Sequence, residues 1–298
     1  QMVSMLRALL ELSRVSNLPT VWTNVLAAWI IASGPDWRWT SALGWLLLGA
    51  SLIYSAGMIL NDACAAAWDR DHRPERPIPS GRISLTTVWA IGLIWLLGGA
   101  AIMILLGGAS WLITLLLLAA IVAYDVYHKP WAGSVIVMGA CRTLLYLAAG
   151  SAVIDESCKS GAMWGILSLF GCLLGCYIVG LTLLARSEAK GTSTRTTRLL
   201  LVSLLLLPAF GSIFFHFAIS IDQQMSLILL PLFLSLVSYA ALVMTRGGAN
   251  ISAAVGWLLA GIPIVDALAV SNISPNTAIF FSILPPLLRL WQRWIAAT

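Results

Sequence analysis

Two aspartates seven residues apart, Asp62 and Asp69, lie just past a long apolar run, with Asn61 beside the first and Arg70, Arg73, Arg76 and Arg82 following. On a helix, positions i and i+7 differ by about 20° and lie about 10 Å apart along the axis. The two carboxylates therefore share a face, and their spacing is too wide for one metal ion to touch both. A diphosphate carrying two Mg²⁺ ions spans such a gap: each carboxylate holds one ion, phosphate oxygens complete the shells and Asn61 adds a neutral oxygen. Asn61 and Asp62 follow the apolar run directly, where an unpartnered carboxylate is costly, so a ligand role is expected for them. Asp71, Glu75, Arg70 and Arg82 read as solvated loop charges, with Arg73 or Arg76 placed to pair with Asp71 or Glu75. Pro74, Pro77, Pro79 and Gly81 make this loop constrained rather than helical.

Further polar residues break the apolar pattern. In Tyr124-Asp125-Val126-Tyr127-His128-Lys129, at the end of another apolar run, Tyr124 and Lys129 are placed to face a phosphate. An aromatic belt with a snorkelling lysine is the competing explanation. Arg142 falls well inside an apolar run, where a cation is expensive and faces a polar cavity or a carboxylate. It reads as a phosphate clamp or as the partner of an aspartate. Asp266, inside a later run, reads as an intramembrane hydrogen-bonding residue outside the metal site. The stretch from Thr182 to Gly191 has one carboxylate, Glu188, among several cations, which suits an anion-attracting rim better than a metal site.

These residues need elements to position them, and the composition says which. The chain has 298 residues, 60% of them hydrophobic and only 10% charged. Soluble domains carry about a quarter charged residues, so a polytopic helical membrane protein is expected. Spans are expected at 18–33, 41–62, 84–106, 109–124, 133–153, 162–185, 197–217, 225–245 and 250–271. Residues 2–14 read as an interfacial amphipathic segment. The run 277–294 reads as a tenth crossing or a re-entrant end broken at Pro285-Pro286. The whole of 1–298 reads as a single transmembrane domain.

The net charge of +5 does not point to nucleic acid. With a cytoplasmic N-terminus and alternating spans, all of the 17 basic residues except Arg38, Lys159 and Arg142 fall on cytoplasmic stretches. The clusters at 61–82, 124–129 and 186–198 then share that side and can surround one cavity opening to the cytoplasm. The five cysteines show neither metal-ligand spacing nor a disulfide framework.

At this point the chain resembles the UbiA superfamily of intramembrane prenyltransferases. Asn61-Asp62-x-x-Ala65-x-x-x-Asp69 is similar to the family's first acidic motif, N-D-x-x-D-x-x-x-D, and Arg73-Pro74-Glu75-Arg76-Pro77-Ile78-Pro79-Ser80-Gly81 to its R-P-x-R-P-I-P-x-G loop. Tyr124…Lys129 is similar to its tyrosine–lysine motif. The resemblance implies a bundle of nine or ten transmembrane helices around a central cavity and Mg²⁺-dependent binding of an isoprenyl diphosphate. It also implies transfer of the prenyl group to a small or lipophilic acceptor reached from membrane lipid. On it, Asp62, Asp69, Lys129 and Tyr124 are the expected catalytic residues. Asn61, Arg73, Arg76, Arg142, Asn24 and Glu188 are the expected substrate contacts, and Asn61, Asp62 and Asp69 hold Mg²⁺ through the diphosphate. The segment Ser16–Asn24, together with Tyr124-Asp125…His128-Lys129 and Gly180-Leu181-Thr182, looks most like the branch encoded in bacterial ebo gene clusters, which implies a bacterial inner membrane.

Two departures open a second reading. Ala65 stands where the first motif has its middle aspartate, and Leu181 where the second acidic motif would begin. The alternative is a non-catalytic binder or exporter of a lipidic or prenylated metabolite precursor.

Overall fold

The computed structural model describes residues 2–127, 131–154, 160–190, 195–219, 225–246 and 251–294, and among these it is wholly helical. In chain order the helices are α1 (Met2–Leu12), α2 (Leu18–Ser33), α3 (Ser41–His72), α4 (Leu85–Leu105), α5 (Trp111–Tyr127) and α6 (Ser134–Ser151). They continue with α7 (Ser160–Lys190), α8 (Arg195–Ile219), α9 (Met225–Arg246), α10 (Ile251–Ala260), α11 (Ile262–Val270) and α12 (Pro275–Trp291). A 3-10 turn, Val15–Asn17, joins α1 to α2.

Each expected span is helical. Among the described residues eight segments are long and apolar enough to cross a membrane, and α5 is a shorter apolar helix. The ninth span is two helices, α10 and α11, meeting at Gly261. The run at the C-terminal end differs from expectation, because α12 continues through Pro285 and Pro286. Those residues donate no backbone N–H, but Ala278, Phe281, Pro285 and Leu288 recur at helical spacing and are all buried. Packing of that face, mainly against α11 and α10, holds the helix where local propensity would end it.

Burial separates the centre of the bundle from its lipid-facing ring. The span containing α2 is 78% buried, against 33% for α4. Helix α2 contacts α3, α6, α7 and α11, and a helix enclosed in this way needs no polar face. Two seams depend on missing side chains. A Cβ on Gly49 of α3 would fall 2.7 Å from the Gly99 carbonyl of α4, and one on Gly139 of α6 would fall 2.6 Å from the Gly175 carbonyl of α7. Small residues of this kind let membrane helices approach closely.

Helix α3 is longer than its apolar run. Thr40 caps its N-terminus by accepting from the Leu43 N–H, and the helix continues past residue 62 to His72, so Asp62 and Asp69 lie on one uninterrupted helix. Helix α1 lies against this end of α3, with Ala8 and Leu12 packed among Ile59, Ala63, Ile83 and Val88. Glu11 of α1 accepts from Arg7 at 3.1 Å and from Arg82 at 2.8 Å. Arg82 is therefore a clip between α1 and the loop after α3 rather than a free solvated charge.

Candidate functional site

Asp62 and Asp69 are both buried, at 7% and 3% exposure. Their oxygens converge on a single nitrogen: Nη1 of Arg76 donates to Asp62 Oδ1 at 3.0 Å and to Asp69 Oδ2 at 3.0 Å. The two carboxylate tips are thus at most twice that distance apart, well below the axial separation of their α-carbons. The side chains lean together, and one arginine nitrogen touches both. The expected pairing of Arg76 with Asp71 or Glu75 is corrected. The constrained loop returns Arg76 to α3, where two buried anions hold it more strongly than exposed carboxylates would.

A second cation completes this end. Arg14, which follows α1, brings Nη2 to 3.7 Å from Asp62 Oδ1 and Nη1 to 3.6 Å from the Met58 sulfur. Its backbone is left-handed, φ 47°, a conformation that costs about 1–2 kcal/mol for a residue with a side chain. Asn61 donates from Nδ2 to Asp125 Oδ1 at 3.1 Å, and Asp125 is only 4% exposed. Neither Arg14 nor Asp125 is expected as a site residue from the sequence. The signal for Asp125 was a carboxylate inside the tyrosine–lysine element; that for Arg14 was a cation closing the amphipathic segment.

From this end a cavity of about 200 Å³ runs into the bundle. It is lined by Arg14, Tyr124 and Asp125, by Ile53, Leu117, Ile121 and Ile178, and by Tyr54 and Arg142. Arg142 is 9% exposed. It donates to Asn24 Oδ1 at 2.7 Å and to Thr20 Oγ1 at 3.3 Å, and its guanidinium lies over the Tyr54 ring at 5.3 Å. Asn24 in turn donates to Asp266 Oδ2 at 2.7 Å. Arg142 thus both faces the cavity and is tied to an aspartate, through one intervening amide.

Other expected residues fall differently. Arg73 is exposed and lies over the Trp68 ring at 6.0 Å, not among the acids. Trp68 is 43% exposed and stacks on His72 at 4.1 Å, outside the cavity that Tyr54 and Tyr124 line. Ala65 is buried on α3. Leu181 lines the cavity, so an apolar wall occupies the place of the second acidic motif. Arg186 donates to the Ala132 carbonyl at 3.0 Å and to Ser134 Oγ at 2.6 Å. Lys129 and the side chain of Glu188 lie outside the described residues.

The donor set fits a hard divalent cation. Two carboxylates already meet at one positive nitrogen, and Asn61 brings an amide to the same turn of α3. Among the described residues no group of three or more His, Cys, Asp or Glu is placed to hold a metal unaided. Such an ion needs oxygens from its ligand, as a phosphate supplies.

Residues 18–294 match the model of the UbiA prenyltransferase family. The chain belongs to that family. A digeranylgeranylglyceryl phosphate synthase of Sulfolobus acidocaldarius is 35% identical over 95 residues, covering 30% of this chain and 34% of the relative. One from Sulfurisphaera tokodaii is 28% identical over 134 residues, covering 44% and 48%. The bacteriochlorophyll synthase 33 kDa chain of Cereibacter sphaeroides is 30% identical over 102 residues, covering 31% and 34%. These matches span less than half the length of each curated relative. A solved structure from work on digeranylgeranylglyceryl phosphate synthase in membranes superposes with a TM-score of 0.64 at 18% identity, over 94% of this chain and 98% of that one. That likeness shows the UbiA fold.

Proposed function

We propose that this UbiA-family protein is a membrane prenyltransferase that moves an isoprenyl group from its diphosphate to a small or lipophilic acceptor, with Mg²⁺ at the Asp62–Asp69 end of the cavity. The observation that carries this reading is the convergence of two buried carboxylates on one cationic nitrogen, beside an apolar cavity lined by Arg14, which lies 3.7 Å from Asp62. Its orientation would place that end and the N-terminus on the cytoplasmic side of a bacterial inner membrane, in keeping with the charge partition. Membrane lipid would supply the acceptor.

Asp62, Asp69 and Asn61 would hold the ion. When bound, Mg²⁺ neutralises charge on the departing diphosphate. Arg76, which bridges the two carboxylates, and Arg14, beside Asp62, would offer positive charge to the phosphate oxygens. Cations fixed where negative charge develops favour the transition state. The allylic C–O bond breaks with its electron pair leaving on the diphosphate. The allylic cation then lies between Tyr54 and Tyr124, whose faces stabilise positive charge, in a cavity whose apolar walls exclude water. The acceptor bonds to the allylic carbon and loses a proton.

The second reading, a non-catalytic binder or exporter of a prenylated precursor, is favoured by Ala65 and Leu181. One experiment separates the two. Purified protein is incubated with labelled prenyl diphosphates, with Mg²⁺ or with EDTA, and diphosphate release is measured. Mg²⁺-dependent release supports the enzyme. Saturable binding without release supports the binder, and neither result would leave the site without its proposed ligand.

A further inference from the structure

We infer that Asp125 is a positioning residue for the cation site, acting through Asn61 by fixing which way its amide is turned. This rests on the proposed role of Asn61 beside Asp62 and Asp69. An amide has one oxygen and one NH₂ group, and only the oxygen binds a hard cation. Asp125 Oδ1 accepts from the NH₂ of Asn61, with Nδ2 at 3.1 Å, so the amide oxygen is turned away from it.

The surroundings make this contact more than a surface pairing. Asp125 is 4% exposed and sits near the C-terminal end of α5, 64 residues along the chain from Asn61. A carboxylate at that depth is expensive to keep unless its hydrogen bonds serve a purpose. It lines the cavity beside Arg14 and Tyr124, so α5 presents it to the same end of the bundle that gathers Asp62, Asp69 and Arg76. The chain has Ala65 in place of an acidic residue one turn beyond Asn61. With that ligand missing, a correctly turned amide matters more to the remaining set. Outer partners of metal ligands commonly change affinity by about 10- to 100-fold.

The alternative is a structural tie between α3 and α5 with no bearing on the ion. A double-mutant cycle on metal affinity distinguishes the two, since a residue acting through another has nothing to act on once that other is gone. The full-length protein in detergent is titrated with Mn²⁺, a paramagnetic substitute for Mg²⁺, in the presence of inorganic pyrophosphate. Free Mn²⁺ is read by electron paramagnetic resonance. Asp125→Leu is expected to weaken Mn²⁺ binding by about 10- to 100-fold. Asn61→Leu is expected to weaken it similarly, and the double variant no further than Asn61→Leu alone. Asp125→Asn keeps an oxygen acceptor for the amide and should lose less than either single leucine variant. Multiplying losses in the double variant, or wild-type affinity in Asp125→Leu, would overturn the inference while leaving the cation site standing. If Asp125→Leu fails to fold, Asp125→Asn decides: a loss as large as that of Asn61→Leu overturns the positioning role. Absence of Mn²⁺ binding in the wild type would overturn the cation site and this inference with it.

Discussion

Replacing Arg76 with Gln should destabilise the protein in EDTA and make its stability strongly dependent on Mg²⁺. Arg76 Nη1 is the shared cation of Asp62 and Asp69, whose side chains are 10% and 4% exposed, while Arg76 itself is 23% exposed. Removing one partner of a buried ion pair costs about 3–5 kcal/mol, because the remaining charge is left without compensation. Arg14, 3.7 Å from Asp62, offsets part of that loss, so the lower end applies, about 3 kcal/mol. At roughly 2–4 °C per kcal/mol for a chain of this size class, the midpoint should fall by roughly 6–12 °C. Mg²⁺ supplies the missing positive charge, and an ion that binds only the folded state raises stability by mass action. The variant should therefore regain most of the loss at millimolar Mg²⁺, whereas the wild type gains less. Because one nitrogen makes both contacts, Arg76→Lys should recover part of the stability in EDTA. Thermal unfolding in detergent, followed by intrinsic fluorescence from the 14 tryptophans, measures all three forms. Equal midpoints for wild type and Arg76→Gln in EDTA, or a deficit that Mg²⁺ leaves untouched, would refute the view that these carboxylates form a cation site.

Asp62→Asn should weaken Mg²⁺-dependent binding of a prenyl diphosphate at least tenfold, about 1.4 kcal/mol, by titration calorimetry; unchanged affinity removes Asp62 from the site. Ala65→Asp, on the helix turn between Asn61 and Asp69, should raise Mg²⁺ affinity in the same assay and, if the protein is an enzyme, its rate of diphosphate release. No change in either means that position 65 does not face the ion. Arg142→Leu should lower the unfolding midpoint by an amount equivalent to about 3 kcal/mol, because Asp266 loses its relayed cation. Adding Asp266→Leu should restore most of that loss, and a double variant as unstable as Arg142→Leu would show that the relay through Asn24 carries no charge coupling.

Much of this protein is written in local features. Nine apolar runs predict nine helical segments, because the cost of exposing backbone and polar groups to hydrocarbon acts on each run separately. The spacing of Asp62 and Asp69 predicts their common face, because both lie on one helix whose pitch is invariant. The order and types of residues from Asn61 to Gly81 were enough to suggest the family. What the sequence could not assign is the partner of each buried charge. Arg76 returns across a proline-rich loop to Asp62 and Asp69, Asn61 meets Asp125 on another helix, and Asn24 reaches an aspartate 242 residues away. The last two pairings are made between helices and the first between α3 and the loop that follows it; in each, chain packing sets which side chains meet and hydropathy is silent. The same packing carries α12 through two prolines, overriding the local rule that would have ended it. Periodicity and composition determine which segments enter the membrane and which faces are polar, whereas only the assembled bundle, by closing buried charges onto one another, decides what those polar faces hold.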